Sequence, residues 1–102
     1  MHMIVNTFIN KLQNVKDKNT RLICLDSNFV LGVDDIVCCG STVLLKTSYW
    51  HKNILSVRQL ASKLIDLDVN SNLILLDLYE TAHMINNLNE TSFGWTIINY
   101  SY

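Results

Sequence analysis

"SVRQLASKLIDLDVNSNLILLD", residues 56–77, reads as a second version of "IVNTFINKLQNVKDKNTRLICLD", residues 4–26. In the earlier stretch Val5, Phe8, Ile9, Leu12 and Val15 recur at helical spacing. In the later one Val57, Leu60, Ala61, Leu64 and Leu67 do the same, each 52 positions on. Either set draws one apolar stripe down a helix of about three turns. Ser56 with Gln59 forms an S-x-x-Q capping box and marks a helix start; the first helix has only Asn6 as a candidate cap. Polar turns follow, "KDKNT" and "DVNS", and then Leu22, Ile23, Leu25 and Asp26 match Leu73, Ile74, Leu76 and Asp77.

The correspondence continues to the end of the chain. "VDDI" at 33–36 echoes "INNL" at 85–88, and "TVLLKTSY" at 42–49 echoes "WTIINYSY" at 95–102. Gaps fall in turns, where insertions are tolerated. Matching order and spacing predict an internal tandem duplication, with one α-β-(β)-β module over residues 4–49 and another over 56–102. The optional strand is "FVLGVDDIVCC", hairpinned to "TVLLKTS" through a Gly40-Ser41 turn. Its counterpart "YETAHMINNLNETSFG" reads as a connector. The expected fold class is α+β, a two-layer helix/sheet domain, compact and single over residues 1–102. "LICL" and "LILL" are apolar without alternation, so both faces of these strands need cover. Helices on opposite faces or a homodimer would supply it.

Bulk properties narrow the function classes. Hydrophobic residues make up 49% of the 102, ample for a packed core, and no apolar run nears the ~20 residues of a membrane helix. A net charge of -1 fits neither a polyanion mimic nor a strongly basic nucleic-acid binder. Cys24, Cys38 and Cys39 are odd in number and two are adjacent, which suits free thiols in a reducing, cytoplasmic setting.

The amphipathic "SVxxLxxxLxxL" helix followed by "LILLD" resembles small uncharacterised proteins of phages and mobile elements. That resemblance implies an accessory role, often interference with a host system. It carries no catalytic residue onto this chain.

Candidate chemistry is sparse. Asp26 and Asp77 close equivalent strands and together would suit acid–base work or a divalent metal, although an Asp at a strand end is also ordinary turn chemistry. Asp34 and Asp35 become Asn86 and Asn87 in the second half, so a symmetric catalytic role is disfavoured, which leaves solvation of a turn or strand edge, the favoured reading, or an acidic contact patch. The cysteines, His51 and His83 lack zinc-site spacing, while a Cys–His nucleophile pair depends on proximity in space. Lys11, Lys16, Lys18 and Arg21 form a basic cluster, countered by Asp66 and Asp68 and read as a solvated helix face. Tyr49, Trp50, His51 and Lys52 make an aromatic cluster with a cationic rim, a combination common at binding hot spots and equally suited to plugging a seam.

These observations favour a non-enzymatic, intracellular protein-binding module without cofactor or metal. Its partner would be a host protein, and the anti-CRISPR-like inhibition of a defence nuclease is the expected form. Recognition is assigned to Asp34, Asp35, Trp50, Lys52, Glu80 and Glu90, on the linker and on the connectors that differ most between the halves. The alternatives are a small nucleic-acid-binding regulator and a hydrolase using Asp26 and Asp77.

Overall fold

A computed structural model describes residues 3–26, 29–49 and 53–101. Two short helices, α1 (Val5–Gln13) and α2 (Val57–Leu64), are each followed by three strands. These are β1 (Arg21–Asp26), β2 (Phe29–Cys39), β3 (Thr42–Tyr49), β4 (Asn72–Leu76), β5 (Ala82–Glu90) and β6 (Trp95–Ser101). The strands run in sequence order around a closed barrel. Neighbours are antiparallel except at two seams, β3–β4 and β6–β1, which are parallel.

The expected two-layer helix/sheet domain of duplicated modules is therefore overturned: the sheet is a single six-stranded mixed sheet that closes on itself. Two bulges explain why sequence periodicity concealed this. In β2 the register slips between Val33 and Asp35, and in β5 between Ile85 and Asn87. Core-facing residues run Leu31, Val33 and then Ile36, and likewise His83, Ile85 and then Leu88. One extra residue breaks the period of two and bends the strand, which lets long strands wrap a small barrel. The second connector thus contains a full strand, β5, that its Asn-rich sequence disguised.

The helices cover the end of the barrel where β1 and β4 begin. Val5, Phe8, Leu12, Val57, Leu60 and Leu64 are fully buried in one core with Leu22 and Leu73. The Ser56–Gln59 capping box is present, with both of its hydrogen bonds. Asn6 caps nothing: Ile4 is the N-cap of α1 and gives no side-chain bond. Instead the Val5 and Asn6 amides donate to the Ser71 and Val69 carbonyls, each at 2.9 Å.

Each helix is entered through a segment that pairs with a distant strand. Leu73 donates to Met3 (2.8 Å), so the lead into α1 lies along the start of β4. The lead into α2 lies along the start of β1, where Val57 donates to Thr20 (2.9 Å). Leu55 wedges between β1 and β2: its N–H donates to the Val33 carbonyl (2.8 Å) and its carbonyl accepts from Leu22 (3.0 Å). Ile54, fully buried, lies over Gly32.

Ile23, on the outer side of β1 and paired with Gly32, is fully buried as well. Cover for the unalternated β1 therefore comes from within the chain. In β4 burial does alternate, with Leu73 and Leu75 buried and Ile74 and Leu76 half-buried.

A Cβ built on Gly32 would clash with the Cδ1 and Cγ1 of Ile54. Ile54 is enclosed and has nowhere to retreat, so Gly32→Ala is expected to cost about 1–3 kcal/mol, the usual range for overpacking. Denaturant unfolding measures this. Adding Ile54→Ala should recover part of the loss, and strict additivity of the two losses would refute the contact.

Candidate functional site: the open rim of the barrel

The helices occupy one end of the barrel. The opposite end is formed by the C-terminal ends of β1, β3, β4 and β6 and by the starts of β2 and β5, as the registers require. At this rim apolar side chains stand in water: Leu25 is 51% exposed, Phe29 49%, Tyr49 56% and Tyr79 82%. They are four of the eight large apolar residues exposed among the described residues. Phe29 and Tyr49 meet edge to face, ring centroids 5.6 Å apart, which fixes both rings as one unit.

Acidic groups share the rim. Asp26 ends β1, and Asp77 follows β4 and opens the turn to β5. Asp77 Oδ1 accepts from the Tyr79 N–H (2.8 Å) and the Thr81 N–H (2.9 Å). Its Oδ2 meets His83 Nε2 at 2.9 Å. Glu80, in this turn, has a left-handed backbone at φ 62°, a conformation costly for a residue with a Cβ. The Asp77 clasp holds that geometry and so presents Tyr79 outward. Among the described residues the lysine nearest the rim is Lys46, level with Leu76 at the end of β4 and opposite Asp35 on β2.

Beneath the rim lies the best-placed group for catalysis. His83 is 2% exposed and meets the Tyr100 ring at a tilt of 58°, with centroids 4.8 Å apart. Cys24 is buried nearby. Desolvation pushes its thiol up to about 12, with Asp26 and then Asp77 adding to the rise. A thiol so strongly protonated is no nucleophile at neutral pH. At Asp77 desolvation opposes the charge, yet the His83 bond and the Thr81 and Tyr79 amides outweigh it and hold the carboxyl below its ordinary value. Oδ1 is engaged in shaping the turn and Oδ2 in the His83 contact. Asp26 and Asp77 are brought to the same barrel end, as a paired-carboxylate site requires, but Asp77 serves there as a turn clasp.

The other sequence-derived site residues are dispersed. Asp34 lies within the β2 bulge on the barrel wall and Asp35 follows it, its carboxylate accepting from the Ile36 N–H (2.8 Å). Glu80 is on the rim. Glu90 lies near the helical end, where its two oxygens accept from the Lys16 N–H (2.9 Å) and the Asp17 N–H (3.0 Å). These amides, Asp17's first, lower its carboxyl. Glu90 thus fastens the loop after α1 to β5. Trp50, His51 and Lys52 lie outside the described residues.

The basic cluster is partly engaged too. Lys18 Nζ donates to the Val15 (2.7 Å) and Gln13 (2.9 Å) carbonyls at the end of α1, and Arg21 Nη1 to the Ile54 carbonyl (2.6 Å). Lys11 lines a cleft of about 260 Å³ with Asn14, Asn87 and Glu90. The residues missed by sequence reasoning are Leu25, Phe29 and Tyr79. Strand ends next to turns were the available signal, but an apolar residue there reads as core until the barrel is known.

No family model, curated protein or solved structure matches this chain. Among the described residues, no helix is long and apolar enough to cross a membrane.

Two tests follow from the site's electrostatics. Asp77 and Glu90 have folded-state values below their unfolded ones, so each contributes stability that is present above about pH 4 and lost as pH falls through the folded value. Asp77→Asn with Glu90→Gln should flatten the acid limb of a stability–pH curve, and an unchanged limb would contradict both assignments. All three cysteines are free, Cys38 and Cys39 exposed and Cys24 buried. A thiol reagent should therefore label two sites in the native protein and the third only on unfolding. Rapid labelling of all three would refute the Cys24 environment.

Proposed function

We propose that the protein acts by stoichiometric binding of a macromolecular partner through the open rim, and turns nothing over. The observation that carries this is the gathering of Leu25, Phe29, Tyr49 and Tyr79 in solvent at one end of the barrel. Aromatic side chains held rigid by a paired ring or a clasped turn lose little entropy on binding and dominate interface energetics. Asp26, Asp77 and Glu80 beside them favour a partner surface rich in Lys and Arg. The nucleic-acid channel of a host defence nuclease has that chemistry, and a small protein lodged there would block it. Three free thiols suit a reducing interior, where such a target would be met.

Calorimetric titration into a purified defence nuclease is expected to saturate at a fixed stoichiometry. Tyr79→Ala or Phe29→Ala should weaken binding at least tenfold, about 1.4 kcal/mol, without lowering the melting temperature. Affinity indifferent to both substitutions, or product formation at sub-stoichiometric amounts, would overturn the proposal.

A further inference from the structure

Cys38 and Cys39 are consecutive, exposed and free, and they end β2. They stand opposite Val43 and Thr42, the last two pairs before the Gly40–Ser41 turn. Consecutive strand residues point to opposite faces, so Cys38 shares the side of Ile36 and Cys39 that of Val37. Their α-carbons are nevertheless joined by one peptide, about 3.8 Å apart. The two sulfurs therefore stay within reach of one small ligand.

The separation that each kind of bridge demands decides between them. A disulfide brings the sulfurs to about 2.05 Å and usually wants α-carbons roughly 4.4 Å or more apart, which adjacent residues reach only with strain. A structural zinc site needs four ligands. Among the described residues, no group of three or more His, Cys, Asp or Glu side chains could hold a metal ion. A soft monovalent ion is satisfied by two thiolates and sets them on opposite sides of itself, well apart. Thiolates select Cu(I), and Cu(I) is the form that copper takes where cysteines stay reduced. Seating it asks the chain to twist at Cys39, which gives up at most the Cys39↔Thr42 pair. Gly40 can take up that twist: its backbone is left-handed at φ 61°, and no atom lies within 4 Å of where a Cβ would stand.

We propose that Cys38 and Cys39 together bind one Cu(I) ion as a two-coordinate dithiolate at the tip of the β2–β3 hairpin. Each thiol releases its proton to solvent as it ligates, so one Cu(I) enters, two protons leave and no electron moves. The tip lies where β4 begins, at the end away from the rim, and the inference does not rest on what the rim binds. Cys24, buried within β1, takes no part.

Competition for copper with bicinchoninate tests this on the whole chain, under anaerobic conditions with ascorbate to hold the metal as Cu(I). The protein should withdraw one equivalent of copper and sediment as its copper-free form does. Cys38→Ser and Cys39→Ser alter exposed side chains, so each should leave the melting temperature unchanged. Each should also weaken copper binding at least about tenfold, because a second thiolate on the same chain binds at high effective concentration. Zn(II), offered against a zinc-responsive dye, should bind at least tenfold more weakly than Cu(I). Undiminished uptake by either single variant overturns the paired site, and so does no uptake at all. Copper bound only as two chains associate overturns a site complete within one chain, and Zn(II) held as tightly as Cu(I) overturns two-coordination.

Discussion

The backbone of Leu55 holds this fold together in a way no side chain does. It occupies the place where β1 and β2 part, with its N–H on Val33 and its carbonyl on Leu22. Without it two buried ladder groups would go unpaired, at a cost near that of a lost hydrogen bond each. Its position also fixes Ile54 over Gly32, and so the outer cover of β1. The start of α2 follows from the same segment, since Val57 is tied to Thr20 two residues later. Barrel wall, linker and helix are thereby referred to one set of main-chain bonds.

Polar groups gather at the other end of the barrel as well. Asp77 and His83 meet where the barrel opens, and the carboxylate's remaining bonds shape the turn carrying Tyr79. Burial of the Cys24 thiol near them keeps it protonated. Rigid presentation of exposed aromatics is what an interface needs. The strained backbone at Glu80 fits the tendency of such conformations to collect where a surface has work other than stability.

Sequence periodicity revealed the two helices, the Ser56 cap and the β2–β3 hairpin with its turn at Gly40–Ser41, because each depends on contacts only a few residues apart. Barrel closure was not legible. It depends on parallel seams between residues such as Arg21 and Trp95, and on bulges that scramble the alternation used to recognise strands. The site was legible only in part. Asp77 and Glu80 fall on the rim, but Glu90, chosen for its charge and loop position, fastens the loop after α1 at the far end. A carboxylate gripping two main-chain amides looks, in sequence, no different from one facing solvent.

The crossed leads into the helices bear on how the molecule is made. Met3 finds its partner in Leu73, and Thr20 finds its own in Val57. While the chain leaves the ribosome, the lead into α1 must wait for some seventy residues before its strand exists. Neither half can shut its own ladder, and an incomplete product carries bare strand edges that invite pairing with a neighbour. Assembly is therefore governed by distant contacts formed late, the regime of slow folding. Once both leads are in place, each half of the chain is tied to the other.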